Sequence, residues 1–380
     1  MKILQLVWNL YPDTAYTNRT LATAKGLSEA GAKTKVISIK PTTLHSFYAA
    51  KNPFKSNANG IKGVLGSIYG ILQLIWNIPQ YDVIFCSLSN TRILRLSKFM
   101  ADLFRKPIVH ERTEIPDIFF SDTPKGNAKQ QKYCKVVATF NHVFVISTAI
   151  SRYFKAHGIN EDKITIFPMI VNTHRFVGLK KEKKDHRQIV YCGNMQNSKD
   201  GLSDLIEAFG ISKSAKVDFD LILYGNKPEG DEMEAYEKQL KRLNIKNKVF
   251  FKGSIPMDKM PQALVDADIL ALCRPYSRQA EGGFPTKLGE YLCTGNPVIV
   301  TDVGDIPCYI KDGENGYVVN HDDVNAFSEK LDYIASHYSE ATVVGILGKE
   351  LSNVEFNDIV QCKLLLKTLK TIVNENFNRG

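Results

Sequence analysis

The sequence predicts an α/β chain of two doubly wound domains, each built on a parallel sheet. Two observations carry that prediction. Short runs rich in Val, Ile and Leu alternate with segments of helical period along the whole chain, and this alternation marks strand–helix–strand crossovers. The 380 residues also exceed what one hydrophobic core usually serves, so two domains are expected.

The elements follow in order. "KILQLVW" reads as a strand buried almost from Met1, "NRTLATAKGLSEAGA" as a helix stopped at Gly31, and "KTKVISI" as the next strand. "YDVIFCS", "KPIVHE" and "HVFVIS" are further buried strands. In the second half "RQIVYCG", "DFDLILYG", "KVFFKG", "ADILALC" and "NPVIVT" repeat the pattern. Residues 168–187, "PMIVNTHRFVGLKKEKKDHR", are polar, charged and without a sustained period. The boundary is expected there, with domains 1–168 and 169–358. Ligands of doubly wound domains sit beyond the carboxyl ends of the strands, so two facing domains would hold the site in a cleft.

Composition narrows the class. Apolar content of 44% and charge of 23% are those of a soluble globular protein rather than a disordered one. The seven cysteines are odd in number and hold no C-x-x-C pair. A disulfide framework and a zinc site are therefore not expected, and a reducing cytoplasm is. No ligand cluster suggests another metal. The amino end lacks the small-residue cleavage site of a signal peptide.

The net charge of +9 is uneven: residues 1–170 hold 22 Lys+Arg against 10 Asp+Glu, and the remainder 27 against 30. That asymmetry fits an anionic partner for the first half, or simply a basic soluble surface. Nucleic acid is the weakest such partner, since no motif for it is present. Residues 61–78, "IKGVLGSIYGILQLIWNI", place Ile68, Ile71, Leu72, Ile75 and Trp76 on one helical face. Gln73, Asn77 and three glycines argue against a membrane span. Two readings stay open, a helix packed on the sheet and an interfacial helix.

"EGGFPTKLGEYLCTGNPVIVT", residues 281–301, carries the densest chemistry. Pro285 fits the first helical position, and Gly295 ends the short helix. The helix start offers free N–H groups and a positive dipole end, which favours an anion. Lys287 adds a full charge, and Glu290 lies four from Thr286 and three from Lys287, so the three share a face. A carboxylate there suits a ribose diol, and the helix start suits phosphates. The alternative is an ordinary βα turn carrying a Lys287–Glu290 surface pair.

Residues 281–318 resemble the donor-binding signature of the GT4 family of retaining glycosyltransferases, which have the GT-B fold. The family carries two glutamates eight positions apart, followed by a small residue, Gly, Pro and a strand. Glu290 matches the second, which in the family binds the ribose. Gly282 stands at the place of the first, and Glu281 lies one residue off. "IVYCGNMQNSKDGLSDLIEAF", residues 189–209, resembles the family's strand–Gly–Arg–x–x–x–x–Lys–Gly segment. Gly193 and Lys199 match, and Asn194 replaces the arginine. In the family that Arg/Lys pair neutralises the leaving pyrophosphate. Lys199 would keep the role, with the missing charge supplied by Lys287, Arg274 or Arg278.

The resemblance implies further roles. Gly225, Ser254 and Ile255 would wall the base pocket. Gly283, Phe284, Pro285, Thr286 and Lys287 would line the donor site with Glu290. His110, in "KPIVHERTEIP", matches the family histidine facing the donor sugar. Glu111 and Arg112 are candidates for acceptor contacts. Ala15, Tyr16 and Thr17 replace the family's Gly-Gly loop, so Asn18 or Arg19 would reach the site instead. The segment "IVQCKLLLKTLKTIV", within 359–380, would pack back on the first domain.

The expectation is a GT-B retaining glycosyltransferase. It would move a sugar from a UDP- or GDP-sugar to an acceptor hydroxyl, a lipid-linked glycan of cell-surface polysaccharide synthesis. His110, Lys199 and Glu281 are the catalytic candidates. No cofactor and no metal are expected. The location would be cytoplasmic, with peripheral association at the inner face of the plasma membrane. A non-catalytic nucleotide- or glycan-binding protein with a GT-B body is the alternative.

Overall fold

The computed structural model describes residues 1–11, 14–40, 48–49, 61–182, 184–193, 195 and 200–378, the side chains of residues 61 and 62 excepted. The chain divides into two units, Met1–Ile170 with Asp358–Gly380, and Val171–Asn357.

The first unit is a six-stranded parallel sheet: β1 (Lys2–Val7), β2 (Lys33–Ser38), β3 (Val83–Ser87), β4 (Ile108–Arg112), β5 (His142–Val145) and β6 (Ile164–Ile166). Their order is β2-β1-β3-β4-β5-β6. The register sets Lys2 beside Lys33 and Ile3 beside Val83. The central strands β1, β3, β4 and β5 are buried on both faces, which is why they read as continuous apolar runs. Helix Ala15–Glu29 follows β1, its start capped by the Thr14 hydroxyl, which accepts from the Thr17 N–H.

The last helix, Asp358–Asn378, belongs to this unit. Its Cys362, Leu365, Leu366 and Leu369 join Ile3, Val83, Phe85, Val109 and Phe144 in one core. Gly26 permits the approach of the two helices, since a Cβ there would lie 2.6 Å from Cys362 Sγ.

The second unit repeats the plan with β7 (Arg187–Cys192), β8 (Phe219–Tyr224), β9 (Val249–Gly253), β10 (Ile269–Leu272), β11 (Val298–Thr301) and β12 (Tyr317–Val319). Their order is β12-β11-β10-β7-β8-β9. Both edge strands β6 and β12 hold three residues and went unread as strands in the sequence. Strands so short carry too little apolar pattern to stand out.

Candidate nucleotide site

In the second unit the chain runs from β7 outward through β8 and β9, then crosses back to β10 on the other side of β7. The junction of β7 and β10 is therefore the topological switch point, where a crevice opens beyond the strand ends. Gly193 follows β7 and Gly225 follows β8. A Cβ on Gly193 would lie 2.2 Å from the Tyr191 hydroxyl and 2.3 Å from Lys287 Cε. Gly225 has φ +149°, and its Cβ would stand 1.7 Å from the Gly193 carbonyl oxygen. Only glycine fits at Gly225, and a side chain at Gly193 would have to displace the Lys287 side chain or the Tyr191 hydroxyl, so bare backbone lines the crest.

The helix after β10, Thr286–Thr294, starts over the end of β7. Its Tyr291 hydroxyl accepts from Cys192 N at 2.7 Å and donates to Cys192 O at 3.3 Å. Pro285 is the N-cap, one residue earlier than the sequence placed it, and no side chain caps this start. In the first turn Leu288 N donates to the Pro285 carbonyl at 3.1 Å, and the positive dipole end of the helix favours an anion. Gly295, at φ 82°, ends the helix in the left-handed region.

Lys287 crosses Gly193, and its Nζ donates to both oxygens of Asp200 at 2.8 Å. Asp200 is buried and also accepts from the Tyr191 hydroxyl at 2.8 Å. One carboxylate therefore ties the segment after β7 to the helix start. Sequence reasoning missed Asp200, which in "SKDGL" looks like any loop acid.

Glu290 pairs with Arg175 rather than with Lys287: Arg175 Nη1 stands 2.8 Å from Glu290 Oε1, and Arg175 Nη2 donates to the Met257 carbonyl. Burial pushes the Glu290 carboxyl above its ordinary value, and the Arg175 guanidinium and Lys287 pull against that shift. Arg175 lies in the stretch that looked like a linker, where nothing in the sequence marks it as a partner of Glu290. Glu281 sits in helix Arg278–Gly282, accepting from the Tyr276 hydroxyl at 3.1 Å and Arg278 Nη1 at 3.0 Å. Ser254 donates to Asn226 Oδ1 at 2.7 Å beside Ile255 at the end of β9.

Other expected site residues are placed differently. Lys199 and Asn194 lie outside the described residues. The Phe284 side chain is buried against Tyr309 and Phe356, at ring distances of 5.4 and 5.5 Å, and anchors the turn instead of lining a donor pocket. Gly283 and Pro285 are buried beside it.

The first-unit candidates are corrected more sharply. His110 is 0% exposed. The Cys86 carbonyl, at 2.9 Å, can only accept, so His110 Nδ1 carries the proton and Nε2 accepts from the Tyr133 hydroxyl at 2.7 Å. Burial holds this imidazole down at about 3. It is a neutral core residue with both nitrogens engaged inside the first unit.

Arg19 is buried and pairs with Glu111 at 3.0 Å. It also donates to the carbonyls of Pro168 and Phe167 at 2.8 and 3.0 Å and lies over the Phe167 ring. Glu111 takes its second bond from the Ser87 hydroxyl at 2.7 Å. Arg112 is buried too, donating to Glu114 O and Ser89 Oγ and lying over the Phe119 ring. These groups fasten strand ends to one another. Asn18 alone of the expected acceptor contacts is exposed. Among the described residues no group of three or more His, Cys, Asp or Glu could hold a metal ion.

Two parallel six-stranded α/β units, the second with a glycine-lined switch point, define an architecture of the GT-B type. The chain matches the model of the family "Glycosyl transferases group 1" over residues 173–346. It is 26% identical over 166 residues to a GDP-mannose-dependent alpha-(1-6)-phosphatidylinositol monomannoside mannosyltransferase of Mycolicibacterium smegmatis, covering 43% of this chain and 42% of that one. It is 23% identical over 280 residues to the amylovoran biosynthesis glycosyltransferase AmsK of Erwinia amylovora, covering 72% of this chain and 62% of that one. The chain thus spans less than two thirds of the length of either relative. Among solved structures, Anabaena Alr3699/HepE in complex with UDP and glucose superposes with a TM-score of 0.73 at 16% identity, covering 98% of this chain and 100% of that one. That likeness is one of fold.

Proposed function

We propose that the protein is a retaining glycosyltransferase that moves a sugar from a nucleotide-diphosphate sugar, UDP- or GDP-linked, to an acceptor hydroxyl. The observation that carries this reading is Glu290, a recessed carboxylate held by Arg175 on the helix that starts uncapped at the switch point. The carboxylate accepts the ribose hydroxyls, and the diphosphate lies against the helix start and the backbone of Gly193 and Gly225. Thr286 and Lys287 flank the leaving diphosphate, and Lys199 adds its charge there. Developing negative charge is stabilised by these fixed donors, as leaving-group chemistry requires. Ser254 and Ile255 wall the base. Glu281 meets the donor sugar, and Asn18 meets the acceptor.

Retention at the anomeric carbon and independence of a divalent metal follow from the GT4 resemblance. The acceptor is a lipid-linked glycan of cell-surface polysaccharide synthesis, a reading supported by relatives named for amylovoran biosynthesis and for a cps region. The test is thermal stability of the purified protein with UDP, GDP, ADP, CMP and their sugar conjugates. A site filled at a hundred times its dissociation constant adds about 2.7 kcal/mol. A shift with UDP or GDP species, lost in Glu290→Ala, is expected. No shift with any nucleotide would overturn the reading.

A further inference from the structure

Three helices of the first unit lie on one face of its sheet: Ile61–Asn77, Thr91–Leu103 and Pro124–Val137. They link β2 to β3, β3 to β4 and β4 to β5, steps that all run the same way across the sheet. Right-handed crossovers then put all three on the same side. The turn Ile78–Gln80, which continues the first helix, packs on the second, and the second packs on the third.

The first helix is mounted backwards for a core helix. Gly66, Gly70, Leu74 and Asn77 face inward. Gly70 is pressed so close that a Cβ would lie 2.3 Å from the Ile39 carbonyl oxygen. The large apolar side chains face out: Val64, Leu65, Ile68, Leu72 and Trp76, the last 75% exposed. The packed-helix expectation is therefore only half met, because the glycine side packs and the apolar stripe stays in solvent.

The neighbouring helices carry the charge. The second exposes Arg92, Arg95, Phe99 and Leu103, and the third exposes Lys125, Lys129, Lys132 and Lys135. Asp102 is the one acid in the sequences of the three helices, and Lys98 neutralises it at 2.5 Å. An exposed apolar stripe of this size marks an interaction site. A two-fold partner copy would bring these cations against one another. An anionic bilayer would meet both halves of the face, the aromatic and aliphatic stripe at the interface and the cations over headgroups. None of the described helices is long and apolar enough to cross a membrane.

We infer that this face docks the protein on an anionic bilayer surface, with Ile68, Leu72 and Trp76 entering the interface. The inference rests on the functional reading only for its purpose, which is to bring the transferase to a lipid-linked acceptor. The protein has two tryptophans, so a Trp8→Phe chain leaves Trp76 as the sole indole reporter. Full-length chain is mixed with vesicles of phosphatidylcholine and phosphatidylglycerol (3:1) or of phosphatidylcholine alone, without nucleotide.

A blue shift of Trp76 emission and co-sedimentation are expected with the anionic vesicles only. Replacing Lys125, Lys129 and Lys132 with Gln should weaken partitioning about a hundredfold. Leu72→Ser with Trp76→Ser in the parent chain should abolish co-sedimentation. All these positions are exposed, and an unchanged thermal midpoint verifies the fold of each variant. Vesicle binding without any nucleotide-induced stabilisation would uphold the docking face while removing the donor-site reading. No binding of the parent to anionic vesicles would overturn the inference, as would a solution dimer lost in the Leu72→Ser, Trp76→Ser variant.

Discussion

Both units are parallel six-stranded sheets, with different strand orders, and they treat charge near their strand ends in opposite ways. In the first, Arg19, Glu111 and Arg112 are each about 7% exposed and engage one another, nearby hydroxyls or strand-end carbonyls. In the second, the Glu290 and Arg175 side chains keep about a fifth to a quarter of their surface, 21% and 24%. A buried ion pair that satisfies all its groups is structural mortar, and removing one partner leaves an uncompensated charge. A recessed pair with open surface has capacity left for a ligand. Residue type alone does not distinguish the two.

The largest break should come from Arg19→Ala. It strands Glu111 in the core and releases the Phe167 and Pro168 carbonyls, at a cost of about 3–5 kcal/mol. Urea unfolding measures it. A loss below about 1 kcal/mol would contradict the structural role assigned here. Nucleotide-induced stabilisation of the surviving folded protein should match the parent, since the candidate nucleotide site is in the other unit.

Acid sharpens the same contrast. Burial lowers His110 to about 3 and His142 to about 4. The unfolded chain therefore takes up these protons first. Their stability contribution is complete above about 6.5 and is lost as pH falls from there toward the folded values. At pH 5 each costs roughly 2 kcal/mol, from about 1.4 kcal/mol per unit. His110→Gln should be less stable at pH 7.5, yet its urea midpoints should fall less steeply between pH 6.5 and 5. Parallel curves would show that His110 titrates normally.

Much of the fold was legible because buried parallel strands write themselves as apolar runs, and Gly31 and Gly295 punctuate the helices. The crest beyond β7 was legible for the same reason: Gly193, Pro285 and Glu290 are placed by local turn and helix geometry. What was illegible depends on distant partners. Nothing near Arg175 in the chain says that it meets Glu290, 115 residues away. Nothing near His110 says that Tyr133 and Cys86 will close over it. The exposed stripe at Ile68, Leu72 and Trp76 was legible as an apolar face, but its direction was not. That is set by how closely Gly70 lets the helix approach Ile39.

A smaller effect is expected at Glu290. Burial raises its carboxyl more than Arg175 and Lys287 lower it. In the empty protein the folded state therefore holds this proton longer than the unfolded chain does. The linkage disfavours folding as pH rises from the ordinary carboxylate value through the folded one. Glu290→Gln should leave the nucleotide-free thermal midpoint unchanged or slightly raised, while nucleotide affinity falls about tenfold, or ~1.4 kcal/mol. In the parent, affinity should fall on acidification at a pH above the usual carboxylate range. A large loss of apo stability in Glu290→Gln would place Glu290 with Glu111 as mortar.

The smallest effect separates stability from recognition at Glu281. Its bond to Arg278 is half in solvent, with the Arg278 side chain 53% exposed. Exposed pairs contribute less than about 1 kcal/mol, so Arg278→Ala should hardly move the thermal midpoint. Removing Arg278 takes away its bond to Glu281 Oε2, to which the Tyr276 hydroxyl also donates. If Glu281 meets the donor sugar, KM for the sugar nucleotide should shift several-fold while the Kd for the bare nucleotide stays put. Equal shifts in both would move Glu281 to the diphosphate. No shift in either would remove it from the site, leaving Glu290 as the acidic determinant of that crest.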